Sequence, residues 1–307
     1  MLTVIFSSRF ADHLTPPGHP ERPERAATMA AAVARFGTAG GAIVEPRRAE
    51  DDDLMRVHSR HHLDVISGTR GRAVMLDADT FTSPDSDEVA RLAAGAVLTG
   101  VDRVLDGPPG SRALAVVRPP GHHAEADRAM GFCLYNNIAA GAARARARGL
   151  SRVAIVDYDV HHGNGTQAIF YEDPTVLFVS SHQFPFYPGT GAVDETGRGP
   201  GRGFTLNLPL AAGADDEDVI GRYEREALPA LEAFGPALLM VSAGFDAHER
   251  DPLGGCRLTT DGFRRLTTML LEAADRLCEG RVVMVTEGGY DLTALGECLD
   301  TVIDAAR

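Results

Sequence analysis

The chain of 307 residues contains no lysine and no tryptophan, so all 30 of its basic residues are arginine. Its 43 acidic residues outnumber them and give a formal net charge of -13. A protein that binds nucleic acid needs a basic surface to neutralise phosphates, so this balance argues against a nucleic-acid partner. The acidity is compatible with cationic substrates such as peptides or polyamines, although acidity alone does not identify them.

Long apolar runs and closely spaced cysteine pairs are also missing. No apolar stretch is long enough to span a membrane. Residues 1–6 have neither the basic segment nor the long apolar segment of a signal peptide, and they are predicted to form a strand. The four cysteines are widely spaced, which is typical of reduced thiols. These absences predict a cytoplasmic protein without a membrane partner.

No linker or repeat divides the chain, and a hydrophobic content of 44% can fill one large core, which predicts a single domain over residues 1–307. Apolar runs of strand length alternate with helical patterns. Asp85 and Glu88 have the spacing of a capping box at a helix start, and residues 263–277 carry an apolar stripe. The alternation predicts an α/β fold with a mainly parallel sheet between helices. The predicted strands are residues 2–6, 114–117, 153–156, 176–179, 204–210, 238–241 and 282–285.

Polar segments follow five of these predicted strands. The carboxyl ends of parallel strands lie at one edge of a sheet, where ligands of open α/β sheets bind. We therefore expect the five segments to meet in one crevice. They begin at Arg118, Asp157, Ser180, Ser242 and Thr286.

The densest of these segments is residues 157–166, Asp-Tyr-Asp-Val-His-His-Gly-Asn-Gly-Thr. Strand alternation places Asp157, Asp159 and His161 on one side, and Tyr158 and Val160 on the other. Buried carboxylates and imidazoles need a cation or a hydrogen-bond network to offset the cost of their desolvation. The segment therefore predicts a divalent metal site.

Asp159 and His161, with Asp246 from a distant strand, form an open set of three ligands suited to Zn²⁺, although Fe²⁺ fits the same donors. Three protein ligands leave room for water and substrate, as in catalytic zinc sites. The adjacent His122 and His123 provide at least one imidazole for general acid–base chemistry.

Two further residues complete this predicted chemistry. Asp157 can orient one of the two imidazoles through a hydrogen bond. Tyr290 follows a Gly-Gly turn, from which its hydroxyl can donate to a developing oxyanion. The whole set predicts metal-assisted hydrolysis of an amide or ester.

Six motifs distributed over nearly the whole chain resemble those of the zinc-dependent histone deacetylase family, which includes bacterial acetylpolyamine amidohydrolases and acetoin-utilisation proteins. The resemblance implies a three-layer α/β/α sandwich of the arginase/deacetylase fold, acting as one deacetylase catalytic domain. The motifs are Arg118-Pro-Pro-Gly-His-His, Gly131-Phe-Cys-Leu-Tyr-Asn-Asn, residues 157–166, Phe186-Tyr-Pro-Gly-Thr-Gly, Ser242-Ala-Gly-Phe-Asp-Ala-His and Glu287-Gly-Gly-Tyr.

The resemblance also implies roles for single residues. His123 protonates the leaving amine, and Tyr290 stabilises the oxyanion. Phe132 and Tyr187 form the walls around a linear acyl-lysine stem, and Gly131 is a further substrate-binding residue. A structural potassium ion is implied beside the zinc site, bound by Asp157, Ser180, Ser181 and the main-chain oxygens of residues 157, 159 and 161.

Asn164 matches the class II and bacterial branch of the family, whereas other members carry aspartate at this position. A neutral amide cannot raise the pKa of its histidine partner as a carboxylate would. We therefore expect His122, supported by Asp157, to be the more basic imidazole.

The substrate is less sharply indicated. Leu253 stands where polyamine-selective relatives carry a carboxylate, which favours acyl-lysine in peptides or proteins, and Asp79 is predicted to hydrogen-bond the substrate backbone at the rim. An acetylated polyamine or another small amide stays the alternative, as does a non-catalytic acyl-lysine binder. A binuclear arginase-type centre is disfavoured because Gly163 stands where a further carboxylate ligand would be needed. No feature indicates an oligomeric state.

Overall fold

Eight parallel strands form the central sheet in the computed structural model, which describes residues 1–307. A separate antiparallel pair of two-residue strands lies outside it. The strands are β1 (Leu2–Ile5), β2 (Ala42–Val44), β3 (Val74–Met75), β4 (Phe81–Thr82), β5 (Arg112–Ala115), β6 (Val153–Asp157), β7 (Val176–Gln183), β8 (Thr205–Leu210), β9 (Leu238–Ala243) and β10 (Val282–Thr286).

Ten α-helices connect and cover the strands. Two of them begin at acidic capping boxes headed by Glu50 and Asp215, where negative charge suits the helix dipole. The helices are α1 (Glu24–Thr38), α2 (Asp51–Leu54), α3 (Arg60–Ser67), α4 (Ser86–Asp106), α5 (Asn137–Ala147), α6 (Asn164–Phe170), α7 (Asp216–Arg222), α8 (Leu228–Phe234), α9 (Thr260–Leu277) and α10 (Leu292–Ala306). A π-helical turn, Tyr223–Ala227, joins α7 to α8.

Alternation along the strands divides the interior into two cores. In β6, Ala154 and Val156 face a core shared with α1 and α7 to α10, whereas Val153 and Ile155 face a core shared with α2 to α6. Side chains on both faces of the sheet are therefore buried, which explains why the strands read as continuous apolar runs. The predicted three-layer α/β/α sandwich is confirmed.

The strand order β2-β1-β5-β10-β9-β6-β7-β8 brings distant parts of the chain to the same sheet edge. In this order β6 lies between β7 and β9, so Asp157 stands beside Ser180 on one side and Ser242 on the other. The strands β5, β10, β9 and β6 are consecutive neighbours, so the polar segments at their carboxyl ends lie close together at the middle of that sheet edge. Four of the five predicted segments therefore meet at one crevice, whereas the fifth, which begins at Ser180, lies within β7 itself.

Several details of the predicted elements are wrong. Strand β7 extends to Gln183, four residues beyond its predicted end, and the two-residue strands β3 and β4 were not predicted. Strand β5 starts and ends two residues earlier than predicted, and β2 was not predicted because it has three residues, two of them exposed. Helix α4 does start after Asp85, but the Asp85 side chain makes no capping hydrogen bond. Its backbone is helical rather than extended, so the carboxylate is not turned toward the free N–H groups.

All four cysteines are buried and unpaired, as their spacing predicts. None of the helices combines the length and the apolar character that crossing a membrane requires.

A buried neutral histidine makes the stability of the fold sensitive to pH. His58 Nδ1 lies 2.9 Å from the carbonyl oxygen of Glu125, and His58 Nε2 accepts from the backbone N–H of Asn136 at 2.9 Å. Only a neutral ring protonated at Nδ1 satisfies both contacts. Burial, and then the charge of the neighbouring His62, lower the pKa of His58 to about 3.

We expect acid to destabilise the protein through His58. Between its unfolded pKa of 6.5 and its folded pKa of about 3 the unfolded chain binds the extra proton, so stability falls as pH falls through this window. Lowering the pH from 8 to 5 should remove about 2 kcal/mol through this group. Urea unfolding of His58→Gln should show a correspondingly weaker pH dependence, with His61→Gln, at an exposed neighbour, as the control. An unchanged pH dependence in His58→Gln would contradict this assignment.

Candidate active site

Asp159, His161 and Asp246 place three potential metal-donor atoms within 4.8 Å of one another, just beyond the ends of β6 and β9. His161 Nδ1 lies 3.1 Å from Asp159 Oδ1 and 3.1 Å from Asp246 Oδ2. One N–H cannot donate well to both carboxylates, whereas one cation can bind all three atoms. Burial, and then the charge of Asp159, raise the pKa of Asp246 to about 7. A divalent ion would offset this unfavourable burial and charge repulsion. The residues therefore fit a metal ion.

Backbone N–H groups hold the far oxygens of both carboxylates. Val160 N donates to Asp246 Oδ1 at 2.9 Å, and Gly288 N donates to Asp159 Oδ2 at 2.8 Å. A Cβ atom at Gly288 would clash with the carboxylates of both residues, so this approach requires glycine. The sheet edge is therefore built to accept two carboxylates close together.

His122 is paired with a carboxylate, as predicted. Its Nδ1 lies 2.9 Å from Asp157 Oδ2, and its Nε2 lies 3.8 Å from Asp159 Oδ2. Burial disfavours the protonated ring, but the two carboxylates outweigh burial and raise the pKa of His122 well above its usual value.

His123 is paired with an amide instead. Its Nδ1 lies 2.7 Å from Asn164 Oδ1. Burial, and then the adjacent His122, lower the pKa of His123 well below its usual value. The two neighbouring imidazoles, whose ring centres are 4.0 Å apart, therefore differ in basicity in the direction that the sequence predicts.

Tyr290 is fixed by contacts on its backbone and on its ring. Its backbone N–H donates to Asp251 Oδ2 at 2.6 Å. Its ring packs edge-on against Phe132, with centres 5.8 Å apart, and lies 5.0 Å from the guanidinium carbon of Arg25. Burial, and then the charge of Asp246, raise the pKa of Tyr290 well above its usual value, so its hydroxyl is a proton donor at neutral pH.

A cavity of about 240 Å³ leads to the cluster at His161. Phe186 stacks on the His161 ring with centres 5.4 Å apart, and Phe132 has a φ of 68°, a left-handed conformation that phenylalanine rarely adopts. Such strain is often found where a side chain is held for binding. The lining residues are Asp79, His123, Gly131, Phe132, His161, Phe186, Tyr187, Leu253 and Tyr290.

The two predicted rim residues, Asp79 and Leu253, both border this cavity. The carbonyl oxygen of Asp79 accepts from His19 Nε2 at 2.9 Å, and the His19 ring packs edge-on against Phe132 with centres 4.7 Å apart. His19 thus connects the Asp79 loop to the Phe132 wall, a contact that the sequence did not reveal.

The residues predicted to bind potassium are partly brought together. Ser180 stands beside Asp157 on the neighbouring strand. The hydroxyl of Ser180 bonds His182 Nδ1 at 2.9 Å, and that of Ser181 bonds the Tyr223 hydroxyl at 2.9 Å. The proximity agrees with a potassium site, and the ion itself stays a prediction.

A buried acid to which the sequence assigned no role lies behind the histidine pair. Glu287 Oε2 accepts from the backbone N–H of Gly121 at 2.7 Å, and Glu287 Oε1 accepts from the Ser242 hydroxyl at 2.9 Å. Burial raises the pKa of Glu287 to about 7. Glu287, directly after β10, thereby links the loop after β5 to the end of β9. A charged residue directly after an apolar strand was the available signal.

A second missed network joins the N-terminal segment to the site. Glu21 accepts from Arg118 Nη2 at 2.7 Å and from Arg25 Nη1 at 2.9 Å, and all three side chains are fully buried. Arg25 Nε also donates to the carbonyl oxygen of Gly289 at 2.7 Å, directly before Tyr290. This network supports the loop that carries the phenol.

The three-layer sandwich, with carboxylates, imidazoles and a phenol gathered at the carboxyl edge of a parallel sheet, defines a protein of the arginase/deacetylase fold class. Within that class, residues 19–306 match the family model for the histone deacetylase domain. The chain belongs to the histone deacetylase family, whose members include hydrolases that act on acetylated substrates.

Individual relatives agree with this placement. The chain is 42% identical over 295 residues to a histone deacetylase-like amidohydrolase of Pseudomonas aeruginosa, covering 94% of this chain and 76% of the relative. It is 41% identical over 299 residues to histone deacetylase 15 of Arabidopsis thaliana, covering 93% of this chain but only 52% of that longer protein. The crystal structure of the HDA15 HD domain superposes with a TM-score of 0.94 at 38% identity, covering 99% of this chain and 87% of that one.

Proposed function

We propose that the protein is a zinc-dependent amidohydrolase that removes acetyl or other acyl groups from the ε-amine of lysine in peptides or proteins. The observation that carries this proposal is the convergence of Asp159, His161 and Asp246 at the end of a cavity that also presents His123 and Tyr290. Zn²⁺ bound by those three residues, or Fe²⁺ in its place, would supply Lewis acidity for attack of water on the amide carbonyl.

The histidine pair handles the protons in this proposal. Asp157 orients His122 and favours its protonated form. His123 is neutral, and because its Nδ1 faces Asn164, its Nε2 is the nitrogen free to exchange a proton. Tyr290 donates its hydroxyl proton in a hydrogen bond to the oxygen that gains negative charge. His123 Nε2 accepts a proton from the attacking water, and when the C–N bond of the tetrahedral carbon breaks, it gives this proton to the leaving amine.

The cavity walls select a linear substrate. Phe132, Phe186 and Tyr187 are aromatic, which suits the apolar methylene stem of an acyl-lysine. Asp79 at the rim has a carboxylate that can accept from a substrate backbone N–H. Residues 1–307 act as one catalytic domain in this proposal, in the cytoplasm, with a structural potassium ion near Asp157 and Ser180.

Metal analysis and a turnover panel test this function together. The purified protein should hold about one divalent ion per chain, as expected for a three-ligand catalytic site. The panel should contain acetyl-lysine peptides, longer acyl-lysine peptides and acetylated polyamines. Failure to hydrolyse any member of the panel by metal-loaded, folded protein would refute the proposal and favour a binder.

Leu253 provides the sharpest prediction about substrate choice. Leu253 borders the cavity and offers contact area but no charge partner for a distal ammonium group. Acetyl-lysine peptides should therefore exceed acetylspermidine in kcat/KM. Leu253→Glu should shift this ratio toward the polyamine by about fivefold, because an ion pair in a partly hydrated site contributes about 1 kcal/mol.

Leu253→Gln is the matched control, since it changes shape and polarity without adding charge. If the unmodified protein already prefers acetylpolyamines, the substrate assignment is wrong and the polyamine alternative is correct.

A further inference from the structure

His123 has no direct carboxylate partner, but it is connected to a carboxylate through Asn164. His123 Nδ1 lies 2.7 Å from Asn164 Oδ1, and Asn164 Nδ2 donates to Glu125 Oε1 at 2.9 Å. The same amide nitrogen also lies 3.4 Å from Met130 Sδ. His123, Asn164 and Glu125 thus form a continuous chain of hydrogen bonds that ends on a half-buried carboxylate.

The Glu125 carboxylate determines which group donates and which accepts in each of these hydrogen bonds. An ionised carboxylate only accepts hydrogen bonds, so the amide nitrogen of Asn164 must face Glu125 and its oxygen must face His123. The oxygen in turn requires that His123 Nδ1 carry the proton, which leaves Nε2 unprotonated. An asparagine without this partner could turn its amide end for end. His123 would then carry its proton on Nε2, where it could not accept one from water.

Backbone contacts keep the three residues in place. The carbonyl oxygen of Glu125 accepts from His58, and its N–H donates to the Arg128 carbonyl at 2.9 Å. The start of α6 is fixed against the histidine pair because Thr166 N donates to the His122 carbonyl at 3.1 Å. A Cβ atom at Gly165 would clash with the Ala124 carbonyl, so the backbones are in close contact.

We propose that Glu125 is a positioning residue for the deacylation reaction: by fixing the orientation of the Asn164 amide, it fixes the tautomer of His123. This inference rests on the proposed function of the site and deepens it. It also explains why asparagine suits position 164 in this chain. An aspartate there would set two carboxylates against each other, and one of them would have to hold a proton.

Four variants test the inference by kinetics. Glu125→Ala should lower kcat by about 10- to 100-fold with KM within about twofold, the loss expected for one hydrogen bond to a charged group. Glu125→Gln keeps an acceptor oxygen but can also present its amide N–H, so its kcat should lie between those of Glu125→Ala and the unmodified protein. Asn164→Asp should be impaired, and Glu125→Gln/Asn164→Asp should recover most of that loss, because the glutamine amide can donate to the new carboxylate.

Glu88→Ala is the matched control, since Glu88 is half-buried and pairs with Arg48 away from the site. Unchanged kcat in Glu125→Ala, or a double variant no better than Asn164→Asp, would overturn the inference.

A measurement that does not depend on turnover separates this inference from the proposed function. Imidazole ¹⁵N NMR should show His123 as a single Nδ1–H tautomer in the unmodified protein and as a mixture in Glu125→Ala. The same pure tautomer in both proteins would refute the role of Glu125 even if deacylase activity is established. A protein without activity that still shows the shift would refute only the proposed function.

Discussion

Replacing Asp246 with alanine should leave the protein folded but without its metal and without activity. Asp246 supplies one of only three clustered donors, so its loss leaves a two-residue site that should not retain a divalent ion. We expect metal content to fall from about one ion per chain to a trace. Turnover should fall by at least about 1,000-fold, since the Lewis acid and its bound water are lost together.

The fold should survive because the substitution also removes a carboxylate whose burial is costly. The Val160 N–H, however, loses its acceptor, which should lower stability by about 1–3 kcal/mol. Asp246→Asn keeps that acceptor and separates metal loss from destabilisation. Asp102→Asn, at a half-buried ion pair with Arg144 remote from the site, should retain both metal and activity. Full activity in a metal-free Asp246 variant would contradict the proposed mechanism.

Tyr290→Phe should reduce turnover by about 100- to 1,000-fold, the usual effect of removing one oxyanion donor. Phenylalanine preserves the ring contacts with Phe132 and Arg25 and the backbone bond to Asp251, so only the hydroxyl is lost. Binding of substrate and of a hydroxamate chelator should therefore remain close to that of the unmodified protein.

Steady-state kinetics and inhibitor titration measure the two effects separately. Tyr171→Phe, at a partly exposed tyrosine outside the cavity, is the control for the loss of one phenol. If the turnover of Tyr290→Phe lies within a few-fold of that of the unmodified protein, Tyr290 does not stabilise the oxyanion.

The sequence is most informative where chemistry and local periodicity coincide. The β6 run and the alternation that follows it predict the sides taken by Asp159 and Tyr158, and Tyr158 indeed packs in the same core as Ala154 and Val156. Asp246 was predicted from the rule that strand ends converge. Its actual neighbours depend on the order of β6, β9 and β10 in the sheet, which no local pattern encodes.

The missed features share a physical cause. Glu21, Arg118 and Glu287 are fully buried, although charged residues are usually exposed, and apart from Arg25 beside Glu21 their partners lie far away in sequence. Phe186 belonged to a recognised motif, but its stacking on His161 depends on how the loop folds back. Side chains that act through tertiary contacts therefore required the structure.

The separation of the ligands along the chain also determines when the metal centre can form during synthesis. His161 and Asp246 are 85 positions apart, and the strands that bear them are direct neighbours in the sheet. A chain still emerging from the ribosome has two donors long before it has the third. The centre becomes competent only after β9 has docked against β6, so metal capture would follow this docking rather than begin folding.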